Sequence, residues 1–197
     1  MRRGSRGCAQ LFFVVAGLAL TVARPLDAMS FALTPAEREE AVQLGRRSTV
    51  AADFGTEWRV AGESPGQSLV VMTPFHRLAL AARNSAFKGE EMSARDVDSL
   101  VRDQEGRLVL WATVRGAKPD FARFYVPRLY RGDVEIKPSF TQNERTALRE
   151  EDGTYTARNM YVFPSTGLDG KGRVTLVVKN AENAQVARFN VDLSAMR

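Results

Sequence analysis

Val186-Ala187-Arg188-Phe189-Asn190-Val191-Asp192-Leu193 decides the fold class of this chain. Phe189, Val191 and Leu193 alternate with Arg188, Asn190 and Asp192. That two-residue period gives a strand one apolar and one polar face, as in an antiparallel sheet with one side wet. Upstream, Val174–Val178, Tyr155–Phe163, Val134–Phe140, Phe124–Tyr130 and Leu108–Val114 are further strand candidates, rich in β-branched and aromatic residues. Turn signals at Asp169-Gly170-Lys171-Gly172 and Asn180–Asn183 predict that the last strands form successive hairpins. Pro127 donates no hydrogen bond to a ladder, so it marks an edge or a bulge.

Six strand candidates with no helix between them argue against a parallel α/β sheet. The expected fold class is mainly β with N-terminal helices. An antiparallel immunoglobulin-like β-sandwich spans 106–197, preceded by two or three short helices and one or two short strands in 29–105. Trp111 and Phe189 are expected in its core. Cys8 is the sole cysteine, so no disulfide flanks Trp111 as in antibody-type domains.

The helices are announced by their caps. Thr34-Pro35 with Glu37 forms a capping-box pattern before an amphipathic segment running from Pro35 to about Ser48. Thr73-Pro74 repeats the signal, and Phe75, Leu78, Ala79, Ala82 and Ala86 follow at helical spacing up to about Phe87. Ser93 with Asp96 caps a third, short helix carrying Val97, Leu100 and Val101. Leu69–Met72 is a buried strand candidate, and Glu57–Ala61 a shorter one.

Residues 1–28 are expected to be a secretory signal. Arg2, Arg3 and Arg6 precede an uncharged, mostly apolar run from Leu11 to Ala23, short of the ~20 residues a spanning helix needs. Cleavage is expected after Ala28, with Ala23 as the second choice; retention as an N-terminal anchor is the other outcome. The chain is therefore expected to be exported, periplasmic or extracellular, with no membrane span once the signal is removed. The signal takes four arginines and one aspartate with it. The remainder carries 24 basic and 22 acidic residues, a net +2 rather than the +5 of the whole chain. Nothing in that balance asks for nucleic acid as a partner.

Catalytic signatures are sparse. His76 is the only histidine, so a multi-histidine zinc site is excluded, and no cysteine or Gly-x-Ser-x-Gly elbow accompanies it. It is expected to be a neutral packing or helix-cap histidine. Asp96-Val97-Asp98 starts like a calcium loop, but Leu100 and Val101 stand where oxygen ligands and glycine belong. Glu150-Glu151-Asp152-Gly153 reads as a solvated turn. Lys171 among Gly167, Gly170 and Gly172 lacks phosphate-loop spacing, and Arg131-Gly132-Asp133 reads as a charged turn. No cofactor and no metal centre is expected.

One cluster stands out. Phe121, Phe124, Tyr125 and Tyr130 are interleaved with Arg115, Lys118, Arg123, Arg128 and Arg131. Aromatic planes with cations suit sugars, peptides or single-stranded nucleic acid, although a sandwich strand with aromatics inward produces the same alternation. Arg123, Tyr125 and Arg131 are the candidate ligand-binding residues. The sequence thus points to an exported, non-catalytic envelope or periplasmic module binding a protein or cell-surface component. The alternative is an exported carboxylate-dependent hydrolase or transferase, which would require two of Glu57, Glu90, Asp96 or Asp133 to converge in a cleft with a raised pKa.

Overall fold

The computed structural model describes residues 29–197. The expected signal segment and both cleavage positions, Ala23 and Ala28, lie outside the described residues. The chain is mainly antiparallel β in two sheets, with three α-helices: α1 (Pro35–Arg47), α2 (Pro74–Phe87) and α3 (Ala94–Gln104). The strands are β1 (Arg59–Ala61), β2 (Ser68–Met72), β3 (Arg107–Gly116), β4 (Val126–Arg131), β5 (Val134–Ile136), β6 (Phe140–Gln142), β7 (Leu148–Arg149), β8 (Tyr155–Pro164), β9 (Arg173–Lys179) and β10 (Gln185–Asp192). The larger sheet runs β1-β2-β3-β8-β6, with β7 also paired to β8, and the smaller runs β10-β9-β4-β5.

Each helix starts where its cap dictates. Thr34 accepts from the Glu37 amide, and the Glu37 carboxylate accepts from the Thr34 amide at 2.6 Å. Thr73 caps α2 through the His76 amide at 3.0 Å, and Ser93 and Asp96 form a reciprocal box on α3. These contacts satisfy amide donors that the helix itself leaves free. Helices α1 and α2 meet at Gly45, where an added Cβ would press on the Ala79 carbonyl and lie 2.8 Å from the Arg83 nitrogen.

One core unites the two sheets and the helices. It joins Leu69 and Val71 of β2, Phe75 and Leu78 of α2, and Leu108 and Leu110 of β3 to Leu176 of β9 and Phe189 of β10. Residues before 106 therefore contribute strands as well as helices, since β2 pairs with β3 in the register Val70↔Trp111.

Several expectations need correction. Phe189 is fully buried as expected, but Trp111 is only half-buried and lies on the outward side of its sheet. The reason is register: Leu108, Leu110, Ala112 and Val114 take the inward positions of β3, which leaves the odd-numbered residues outside. The core tryptophan is Trp58, whose indole donates to the Arg197 carbonyl at 2.9 Å. Val134–Phe140 is two strands in different sheets, not one. Pro138 interrupts it, and the chain crosses from β5 to β6 there. Asp169–Gly172 likewise links the two sheets instead of closing a hairpin, whereas Asn180–Asn183 does close the β9–β10 hairpin, with Asn183 at φ 62°. Pro127 lies in an inner strand, yet β5 pairs only with Leu129–Arg131, so β4 is locally an edge at Pro127.

Candidate functional site

His76 is buried at the start of α2. Its ring stacks on Trp58 with centroids 4.1 Å apart and planes 5° from parallel, and Nδ1 lies 3.1 Å from the Val71 carbonyl. Burial lowers its pKa, against a smaller opposing effect of the Val71 hydrogen bond and Glu57. The imidazole is therefore neutral with Nδ1–H donating, a packing group that holds the turn before β1 against α2.

The four carboxylates named as catalytic candidates sit on separate elements. Glu57 is held by Arg197, with guanidinium–carboxylate distances of 2.9, 3.1 and 3.3 Å. Asp96 is a helix cap, and hydrogen bonds from the Ser93 hydroxyl and amide keep its carboxyl below the usual range. Glu90 is exposed beyond the end of α2, and Asp133 is exposed in the β4–β5 turn. The lowered pKa of Asp96 is the opposite of the raised one a general acid needs. Among the described residues, no group of three His, Cys, Asp or Glu side chains is placed to hold a metal.

The structure separates the three candidate ligand-binding residues. Tyr125 is buried, edge-on to Phe121 at 5.8 Å, and burial raises its pKa. Arg131 donates to the Gly167 carbonyl at the far end of β4. Arg123 precedes β4, exposed, with its guanidinium 5.3 Å from the centre of the exposed Phe124 ring. It shares a groove with Phe124, Thr141, Gln142, Asn143 and Arg145. Arg145 lies 22 positions away in sequence, so no local pattern announces the pairing.

A second surface went unread in the sequence. Cross-strand register places Met72, Val109, Val162 and Phe140 in one row on the side of the larger sheet away from the main core, the first three buried and Phe140 exposed. Val70, Trp111 and Met160 form the adjacent row. Leu80 of α2 packs against these residues at one side. The charged residues at outward positions of this sheet are Arg59, Arg107, Arg115 and Arg158; no carboxylate occupies one. Arg158 lies 4.5 Å from the centre of the Trp111 ring, and Arg115 is tied to Asp152 at 3.0 Å.

The smaller sheet has an ordinary wet face. Its outward side pairs Arg128 with Glu135 and Arg173 with Asp192, and Thr175 donates to Asn190 at 3.0 Å. The two outer faces thus differ in kind. One is polar with balanced charge; the other has an apolar centre and a cationic border. The alternation Val109/Trp111 was visible in β3, but Leu108/Leu110 was equally apolar, and only the pairing decides which set faces out.

Among the described residues, no helix is long and apolar enough to cross a membrane. No protein-family model matches the chain, and no curated protein matches it. Among solved structures it is similar to an IgNAR antibody domain C3, at 17% sequence identity and a TM-score of 0.31, over 51% of this chain and 86% of that one.

Proposed function

We propose that this chain is an exported, non-catalytic envelope or periplasmic module, built on an immunoglobulin-like β-sandwich, that binds another protein through the outward face of its larger sheet. The observation that carries the reading is the apolar surface that the half-buried Val70, Trp111 and Met160 and the exposed Phe140 offer over the buried Met72, Val109 and Val162, bordered by arginines with no outward carboxylate among them. A contiguous apolar patch with a polar rim is the anatomy of a protein interface. Its arginines and half-buried tryptophan are residue types that dominate interface energetics. The charge of the border selects the partner: an apolar centre flanked by aspartate or glutamate, since like-charged rims repel and opposite ones steer association.

The engagement of Glu57 and Asp96 in structural bonds removes support from the carboxylate-dependent enzyme. Export is supported by the sequence of residues 1–28 alone.

The test is affinity capture of the processed protein from its native envelope with mass spectrometry, followed by binding measurements with the purified captured protein. Trp111→Glu and the double change Arg59→Glu with Arg158→Glu should each weaken binding at least tenfold, the arginine pair more strongly at low salt. Asn190→Glu on the other sheet should leave it unchanged. Equal binding by all these variants would refute the proposed face.

A further inference from the structure

The groove between the start of β4 and the edge strand β6 adjoins the apolar sheet face at Gln142, which pairs with Met160, but its chemistry is different. It has a volume of about 460 Å³ and is lined by Arg123, Phe124, Thr141, Gln142, Asn143 and Arg145, with no carboxylate among them. Two other grooves neutralise their own charges: Arg38 pairs with Asp98 at 3.0 Å beside α3, and Arg197 pairs with Glu57 beside Trp58. Arg123 and Arg145 have no carboxylate within ion-pair distance among the described residues.

The walls of this groove are fixed by the core. Asn143 donates to the Tyr125 carbonyl at 2.7 Å, bridging the loop after β6 to the start of β4. The fully buried Asn159 accepts from the Glu144 amide at 3.0 Å. The Ala147 amide reaches the Pro119 carbonyl at 2.7 Å, and the Glu144 carboxylate accepts from the Arg158 amide at 2.6 Å. The loop carrying Arg145 is therefore anchored on both sides of it, at Asn143 and Glu144 before and at Ala147 after. Phe124, at 67% exposure, has Arg123 over its ring and still offers a large apolar surface.

We infer that this groove binds a carboxylate-bearing saccharide. The exposed ring of Phe124 suits the apolar face of a pyranose, and the guanidinium forks of Arg123 and Arg145 match a carboxylate. Thr141 and Gln142 supply a hydroxyl and an amide, which serve sugar hydroxyls as both donor and acceptor. The volume lies in the range of small-ligand sites. A neutral sugar would leave two cations unpaired, and a bare inorganic anion would leave the aromatic wall unused.

Calorimetric titration of the full chain with digalacturonate, with the neutral digalactose of the same linkage and with inorganic phosphate tests this directly. The acidic disaccharide should bind at least tenfold more tightly than the neutral one. Arg123→Gln, Arg145→Gln and Phe124→Ala should each weaken it about tenfold, a loss typical of one charge-assisted or stacking contact. Arg131→Gln should leave binding unchanged, and circular dichroism should show all four variants folded. Equal affinity for the neutral sugar, or no binding of either, overturns the inference. So does phosphate binding that matches the disaccharide and is indifferent to Phe124→Ala, which would define a simple anion site. None of these outcomes bears on the sheet face, whose arginines are different residues.

Discussion

Arg158 of β8 stacks on Trp111 of β3, its guanidinium carbon 4.5 Å from the ring centre, on the side of the sheet that faces away from the core. A cation on an indole face contributes about 0.5–1 kcal/mol at an exposed site. Here it also stretches the long aliphatic stem of an arginine across an apolar surface. On the proposed function the pair belongs to the binding surface rather than to the main core. Trp111→Ala should cost less in urea unfolding than truncation of a fully buried tryptophan, because the ring is half-buried over the small Met72, Val109 and Val162 cluster and lies outside the main core, while abolishing most binding of the protein partner.

Trp58 should behave in the opposite way. It is fully buried, stacked on His76, and hydrogen-bonded to the Arg197 carbonyl, so truncation opens a cavity and removes one of the two donors, with the Thr73 hydroxyl, on that carbonyl. Trp58→Ala should lower stability by about 3–5 kcal/mol. The measurement is the shift in urea midpoint for the two tryptophan variants side by side; similar shifts would show that the two indoles are not divided between core and surface.

Gly45 sets how closely α1 approaches α2. An added Cβ would press on the Ala79 carbonyl oxygen and sit 2.8 Å from the Ala82 Cβ. Alanine is the better helix former by about 1 kcal/mol, yet overpacking against backbone costs about 1–3 kcal/mol. Gly45→Ala should therefore be neutral to destabilising and Gly45→Val clearly destabilising. A thermal melt in which both variants gain stability would disprove the close contact.

His76 gives the fold a pH dependence whose sign follows from burial. Its folded pKa lies below the ordinary imidazole value of 6.5, so near and below that pH the unfolded chain binds more protons than the folded one. Stability is unaffected by this group well above 6.5 and falls as pH drops through 6.5 toward the folded pKa. Asp96, Asp152 and Asp192, each held low mainly by hydrogen bonds from neighbouring Ser or Thr side chains, lose their contribution only further down, as pH falls through the carboxylate range. His76→Phe keeps an aromatic ring against Trp58 and should flatten the stability profile between about pH 7 and 5. An unchanged slope in denaturant titrations across that interval would assign it to other groups.

How much of this was legible in the sequence divides along physical lines. The caps at Thr34, Thr73 and Ser93 were legible because a capping box is a local hydrogen-bond pattern closed within four residues. The inward face of β10 was legible because Phe189, Val191 and Leu193 alternate with polar residues. β3 gave no such cue. Leu108 to Trp111 is apolar at every position, so its orientation is set by partners in β2 and β8. Pro138 carried a signal for the break between β5 and β6 that the apolar and aromatic residues around it masked. Arg123 was singled out, but with Tyr125, which faces inward, instead of with Phe124 and Arg145, which share its groove. Long-range juxtaposition leaves no trace in local spacing.

The central claim, that the outward face of the larger sheet is a protein-binding surface, is tested most directly by site-specific photocrosslinking in the native envelope. A photoreactive residue at Met160 should yield a discrete adduct with one protein carrying acidic residues at the contact, identified by mass spectrometry. The same probe at Asn190, on the smaller sheet, should yield none, and Arg59→Glu with Arg158→Glu should remove the Met160 adduct. No adduct at Met160, equal adducts at both positions, or an adduct indifferent to the arginine changes would contradict the account.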